Sequence, residues 1–485
     1  MRTTIGAATL ASIFAIALTA CSVGPNFRRP PAPAADRYTV QPQPAQTDVS
    51  EGPGGAAQTF ATDEKIPTKW WTQYGSSALD ELVEQALQAN PNVQSGQAAL
   101  RKAHEHVLAA WGVLAPAIDA SAAGARQRVS GVQFGPTGEP AIYNLYNASI
   151  NVSYGLDFFG RARRDLESLR AQREYRRFVL EATYLTLAAN VVTTAVAEAS
   201  LREQILATEQ LIESSGKRLA VIEKQRQLGG ASLAEVLSQR AQLAQDRATL
   251  PDLRSQLDQQ RSLLATLLGR VPSDQPSAVF RLDELHLPVT IPLSLPSQLV
   301  AQRPDVRQQE ELLHQASAQL GVATANMLPQ ITLSGSYGGS TSNFETLMQS
   351  ANRVWSLSAG VTQPIFHGGQ LLHERRAALA AYDEAAAQYR ETVLTAFRNV
   401  ADSLRALNAD AETLNAVHEA HEAATASLAI TDRQYALGGA SYLALLAAQR
   451  TERQTRISLI QAHAARLADT AALFQALGGG PWNKE

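Results

Sequence analysis

The sequence predicts a mostly helical chain that also carries membrane-type β-strands, the whole built as a tandem duplication. Three observations lead there. The stretch NASINVSYGLDFFG, residues 147–160, places Ala148, Ile150, Val152, Tyr154, Leu156 and Phe158 at even positions, with Asn147, Ser149, Asn151, Ser153 and Asp157 between them. That period of two marks a strand with one oily face. Residues 161–228 contain no Pro and one Gly (Gly216), and residues 370–437 contain neither, so each can run as one helix of about 100 Å at 1.5 Å per residue. Finally, NPNV (Asn90–Val93) and RPDV (Arg303–Val306) lie 213 residues apart, and the same offset pairs Pro116 with Pro329 and Ile118 with Ile331. Further on the offset becomes 209: LGGAS at Leu228–Ser232 recurs at Leu437–Ser441, and Leu268-Gly269 matches Leu477-Gly478. Two stretches with internally constant offsets mark a duplication of about 200 residues.

The chain begins with Met1-Arg2, an apolar run from Ile5 to Ala20, and then Cys21, the order of a charged segment and a hydrophobic segment in an export signal. LTAC (Leu18–Cys21) resembles the bacterial lipobox, in which the cysteine thiol is acylated after cleavage and the acyl chains hold the protein on a bilayer. Cys21 is the only cysteine. An ordinary signal peptide cleaved near Ala20, with an incidental thiol, is the alternative. From Ser22 to about Pro67, Pro, Ala, Gln and Thr dominate, which suits an extended tether better than a packed domain. The expected segmentation is a signal peptide over 1–20, a lipidated tether over 21–66, a first structural repeat over 67–291, a second over 292–478, and a C-terminal tail over 479–485.

Each repeat has the same order of elements. A helix of roughly thirty-five residues (about 78–113 and 294–325) leads into two strands, then a long helix and a shorter return helix (232–268 and 441–476). In the second long helix Phe397, Val400, Leu404, Leu407, Ala411 and Leu414 step by threes and fours, a coiled-coil seam. The pairs Gly229-Gly230 and Gly438-Gly439 end the long helices where the chain reverses, since Gly tolerates the left-handed cap conformation. Pro251 falls inside the first return helix and should kink or break it.

Besides the opening strand, alternation marks Ile118, Ala120 and Ala122, then Ile331, Leu333 and Tyr337, then Trp355, Leu357, Ala359 and Val361. Four strands of about ten residues fit a bilayer span, but four cannot close a barrel, and open edges in lipid cost several kcal/mol per unpaired backbone group. Two chains would give eight strands and a filled interior; three would give twelve and room for a pore. A soluble sheet packed on helices is the competing reading, its oily face then being core. Beyond the N-terminus no run of eighteen or more apolar residues occurs, so insertion of the interior must use strands. The net charge of −3 gives no electrostatic case for nucleic acid as a partner.

Several longer stretches then resemble the TolC-type outer-membrane efflux family, specifically the lipoprotein branch of tripartite RND-type systems. They are CSVGPNFRRP at 21–30, WWTQYGSSALDELVEQALQANPNV at 70–93, DFFGRARR at 157–164, RPDVRQQE at 303–310 with LGVATANMLPQITLSGSYG at 320–338, QPIFHGGQ at 363–370, and YALGGASYLALLAAQR at 435–450. The resemblance implies a homotrimer with a twelve-stranded β-barrel in the outer membrane, four strands per chain, continued by a long α-helical barrel across the periplasm. It implies an equatorial domain near Val271–Pro292 and the C-terminus. The tips at Gly229, Gly230, Ser232, Gly438, Gly439 and Ser441 would be the periplasmic mouth, where a periplasmic adaptor protein docks and an inner-membrane RND-type transporter supplies energy. Members often carry acidic residues just after the second tip; the matching positions here are Ala444 and Ala447. Glu235, the first-repeat counterpart of Ala444, and Asp432, just before the second tip, are the remaining candidate gate charges, with a solvated helix charge as the plainer reading.

His418 and His421, spaced i, i+3 with Glu419 and Glu422 nearby, have metal-pair spacing but no evident third ligand, and read as solvated surface. His104 and His106 point to different helix faces. Arg161, Arg163 and Arg164 either meet lipid phosphates or mark the strand-to-helix border, the second being the safer reading. No G-x-S-x-G, P-loop, G-x-G-x-x-G or zinc-spaced cysteine set occurs, so no active site or cofactor is expected. The expectation is a passive outer-membrane exit duct for small molecules. A type I protein-secretion channel and a pore-less periplasmic coiled-coil lipoprotein are the alternatives.

Overall fold

The structure, a computed structural model, describes residues 22–35, 37–62, 64–130 and 139–480. The expected signal peptide, the acceptor Cys21 and residues 481–485 of the tail lie outside the described residues. The chain divides into two compact units: one from the N-terminus to Pro30 with Ala99–Arg177 and Gln308–Arg390, the other from Pro31–Ala98, Phe178–Arg307 and Glu391 onward.

In the first unit, β2 (Ala117–Val129), β3 (Ala141–Leu156), β5 (Gln330–Thr341) and β6 (Arg353–Thr362) form one antiparallel sheet in that order. The register sorts the sheet into two faces. One carries rows such as Ala120–Ile150–Tyr337–Trp355 and Leu156–Ile331–Val361, the other Asp119–Asn151–Ser336–Ser356. Hydroxyl pairs tie the polar face: Ser121 with Ser149 at 3.0 Å, Ser334 with Ser358 and Ser336 with Ser356 at 2.8 Å. Among the described residues no helix covers the apolar face. Ile118, Trp355, Leu357 and Val361 remain 68–81% exposed, so within the single chain this face is not packed as a core. The opening strand ends at Leu156, two residues before the sequence pattern does. Asp157 turns instead to accept from the amides of Ala162 and Arg163 at 3.0 Å, capping the following helix, and Phe158 lies outside the strand.

The residues after Cys21 are fixed to this unit. Val23 donates to the Phe159 carbonyl at 3.1 Å. The buried Arg164 donates to the carbonyls of Val23 (3.1 Å) and Gly24 (3.3 Å) and to Asn26 Oδ1 (2.7 Å). Phe27 stacks on His314 at 4.4 Å between centroids, and Arg29 pairs with Glu310 at 2.6 Å. Arg163 is engaged by Asp157 at 3.1 Å, so two of the three arginines build the strand-to-helix border.

The long helices α3 (Arg161–Gln227) and α7 (Gln370–Ala436) run through both units. The element boundaries carry the sequence offsets. α2 (Pro91–Gly112) and α6 (Pro304–Ala325) are 213 apart; α3 (Arg161–Gln227) and α7 (Gln370–Ala436), then α4 (Leu233–Leu267) and α8 (Tyr442–Ala476), are 209 apart. The leading helix of each repeat is not single. α1 (Ser77–Ala89) is separated from α2 at Asn90, and α5 (Pro296–Gln302) from α6 at Arg303. Both residues precede Pro and sit extended, ψ 127° and 124°, because the proline ring disfavours the helical region one position earlier. The break serves packing: Asn90 Nδ2 donates to the Leu267 carbonyl at 2.9 Å, and Arg303 to the equivalent Ala476 carbonyl at 2.6 Å. NPNV and RPDV therefore hold the C-terminal ends of the two return helices. Pro251, by contrast, does not break α4, which runs through it; the Arg247 residue whose carbonyl loses its partner is solvent-exposed.

The seam Val400, Leu404, Leu407, Ala411 and Leu414 is buried, and Phe397 meets Tyr38 at 5.8 Å. One eighteen-residue stretch of α3 reaches a mean hydropathy of 1.4, which the run-length reading of the sequence passed over; 56% of it is buried, with Ala188, Val191, Val192, Ala195 and Val196 at the core. The expected tether is not loose here either. β1 (Thr59–Thr62) pairs in parallel with β4 (Thr290–Leu293). Arg466, fully buried, donates to Thr47 Oγ1 and to the carbonyls of Gly54 and Ala56 at 2.8–2.9 Å. With few large apolar residues, the segment is held mainly by polar groups and strand pairing.

Candidate functional site

The two helix reversals are built alike. Gly229 and Gly438 take φ of +82° and +78°, the left-handed conformation that lets a helix end in a Schellman motif. At the first, Gly229 donates to the Arg226 carbonyl (3.0 Å) and Gly230 to Gln225 (2.8 Å); at the second, Gly438 donates to Tyr435 (3.0 Å) and Gly439 to Gln434 (2.8 Å). Ser232 and Ser441 then cap the return helices, each hydroxyl accepting from the amide three residues on at 3.2 Å. Around these caps Leu228, Leu233, Leu437 and Leu443 are 50–82% exposed, apolar groups presented at each turn.

The candidate gate residues have unequal surroundings. Glu235 returns its carboxylate to the Ser232 amide at 2.8 Å, completing a capping box, so it serves its own helix. Ala444 occupies the matching place in the second tip with no carboxylate to return, and both Ala444 and Ala447 are exposed. Asp432 accepts from Arg218 at 2.8 Å, and Gln449, its amide oxygen turned toward the same guanidinium, accepts at 2.8–3.1 Å. The first-repeat counterparts of Asp432 and Gln449 are Glu223 and Arg240, which pair with each other at 2.7 Å inside their own hairpin. Copy two carries Gln449 where copy one has that arginine, and its acidic residue reaches into copy one instead.

Behind the tips Ile222, Val236 and Tyr442 form a small core with Leu219, Tyr435 and Leu446 around it. The Tyr442 hydroxyl donates to Gln239 Oε1, and Gln239, fully buried, donates to the Ser215 carbonyl at 3.1 Å. Burial, with Tyr435 beside it, pushes the Tyr442 hydroxyl up to about 12. Deeper still, the buried Asp246 accepts from Ser215 at 3.1 Å and from Arg453. Sequence reading missed Arg218, Gln449, Tyr442 and Gln239. The signal was available: at the offset of 209, Tyr435 and Tyr442 face Arg226 and Leu233, and Gln449 faces Arg240, so the copies diverge where they meet.

The solvated reading of His418 is corrected here. Its side chain is 17% exposed, while His421 lies 3.3 Å from Thr455 Oγ1 and takes no part with it.

Both repeats match one known family. The chain fits the family described as "Outer membrane efflux protein" over residues 82–270 and 295–479. The pyoverdine export outer membrane protein OpmQ of Pseudomonas aeruginosa is 30% identical over 427 residues, 86% of this chain and 88% of its own. The solvent efflux pump outer membrane protein SrpC of Pseudomonas putida is 29% identical over 476 residues, 96% of each. Among solved structures, the outer-membrane channel OprN superposes with a TM-score of 0.86 at 27% identity over 95% of this chain and 99% of that one. The CmeC channel of Campylobacter jejuni, at 23% identity and a TM-score of 0.85 over 95% of each chain, shares the fold. With both copies of the duplication accounted for, the chain belongs to the outer membrane efflux protein family and is an outer-membrane channel protein of efflux pumps.

Proposed function

We propose that the chain is the exit duct of a tripartite efflux system, working as a homotrimer whose four-stranded sheets close one twelve-stranded barrel. The observation that carries this is the sheet. Among the described residues β2 and β6 are each paired on one side only, and the face they share is oily and uncovered. Such a sheet in lipid needs further strands on both edges, and copies of the same chain supply them with the same register of faces. Acylation of Cys21 would add a second membrane anchor beside it. The chain performs no chemistry in this reading; conduction is passive, and relatives named for pyoverdine, solvents and antibiotics support small molecules as cargo.

The turns at Gly229–Ser232 and Gly438–Ser441 would form the periplasmic mouth. Their exposed leucines offer apolar contacts to an adaptor, and the Arg218 contacts with Asp432 and Gln449 would help to hold the mouth shut. Two measurements test this. The Cys21→Ala protein should still require detergent, whereas a pore-less lipoprotein would become water-soluble. A photo-crosslinker at Ser441 should capture a periplasmic adaptor in cells, and the transporter attached to that adaptor separates small-molecule efflux from protein secretion. Capture of unrelated proteins alone would sink the docking assignment.

A further inference from the structure

A cluster outside the tips has the composition of a metal site. His418 on α7, Glu422 one turn later and Glu51 from the N-terminal segment each offer a ligand atom, and the three atoms lie within 4.8 Å of one another. His418 and Glu422 share a helix face by their i, i+4 spacing. Glu51 is brought in by a closed turn, in which Ser50 donates to the Gly55 carbonyl at 2.9 Å and Gly55 to Gly52 at 3.2 Å. Gly52, at φ +87°, lies over the imidazole; a Cβ there would come 3.2 Å from His418 Cε1.

The independent sign is the imidazole itself. Both ring nitrogens of His418 are shielded from solvent, and neither has a hydrogen-bond partner. Nε2 lies 3.5 Å from Glu422 Oε1, an ion-pair distance without hydrogen-bond geometry. Buried polar groups are normally satisfied, and leaving one unmade costs about 1–3 kcal/mol, so an imidazole idle at both nitrogens calls for a ligand. The two carboxylates are at the surface, which leaves an entry path and room for water as a further ligand.

We propose that Glu51, His418 and Glu422 bind a divalent transition-metal ion of the zinc class. One imidazole with two carboxylates suits a borderline cation at about 2.0–2.2 Å per bond, whereas calcium and magnesium prefer oxygen alone. Bound ligand atoms would close to about 3.3 Å apart, a contraction that the exposed Glu51 and Glu422 side chains can make by rotamer change. The ion would rivet the turn at residues 50–55 to α7, adding a cross-link in a segment otherwise held by hydrogen bonds.

The test uses untagged full-length protein in detergent, stripped with chelator and dialysed against zinc chloride. We expect one tightly bound zinc per chain by elemental analysis, with affinity weakened about tenfold or more in Glu51→Gln and in His418→Ala. Glu51 is exposed, so the first variant keeps its fold, which its unfolding temperature verifies. Zinc should also slow amide exchange across residues 48–56 in the unaltered protein and not in Glu51→Gln. No stoichiometric zinc, or equal binding by all three proteins, would overturn the assignment.

Discussion

Arg218 on α3 donates to Asp432 on α7 across 2.8 Å, so the long helices of the two repeats are joined by a charge pair one short step behind the tips. The equivalent acid of the first copy, Glu223, spends its charge on Arg240 of the same hairpin. One copy thus closes on itself and the other closes on its twin.

Removing this link should loosen the proposed periplasmic mouth. The pair is partly exposed, 24% and 52%, and worth about 0.2–1 kcal/mol in such surroundings. Arg218→Ala should therefore favour the open mouth by about 1.4- to 5-fold per chain, read as higher mean conductance in planar bilayers. Unchanged conductance in both Arg218→Ala and Asp432→Asn would remove the pair from the gate.

Ala444→Asp places a carboxylate at the exposed position matching Glu235. Single-channel conductance should fall, or cation selectivity rise, because in the proposed homotrimer three such charges would ring the entrance. A channel indistinguishable from the parent would mean that Ala444 faces away from the path.

Tyr442→Phe removes the donor to Gln239 and leaves a fully buried amide oxygen unsatisfied. That costs about 1–3 kcal/mol locally, so amide exchange over residues 228–245 should accelerate about fivefold or more. Protection equal to the parent would show that the tip core does not depend on this bond.

Asp410 on α7 gives a pH signature. Burial, and Asp469 beside it, push its carboxyl up to about 7, with Arg466 opposing. Between its ordinary value of 3.8 and 7 the folded chain holds a proton that the unfolded chain releases, so this group lowers stability as pH rises through that window. Asp410→Asn should raise the unfolding temperature at pH 8, with the gap shrinking toward pH 4. A gap that does not change with pH would remove the carboxyl pair as its source.

Much of this was legible in the sequence, because repeated local signals survive wherever the backbone demands them. Gly229 and Gly438 had to be small for a left-handed cap, and the alternation from Ile150 to Leu156 had to persist along a two-faced sheet. Elsewhere partners remote in sequence decided the outcome. Asn90 and Arg303 split their helices to reach Leu267 and Ala476, and the polar segment from Thr47 to Gln58 is ordered by Arg466. The tip contacts of Arg218 were hidden for the same reason: its partners belong to the other copy, and only the divergence of Gln449 from Arg240 marks the place.

The Arg164 clasp on Val23, Gly24 and Asn26 has a thermodynamic consequence for membrane attachment. A lipid on a floating leader must confine that leader each time it inserts; here the guanidinium has already confined it, so an acyl chain on Cys21 would enter the bilayer at high effective concentration and with little entropy left to lose. Anchor and sheet would then behave as one bivalent ligand for the same membrane.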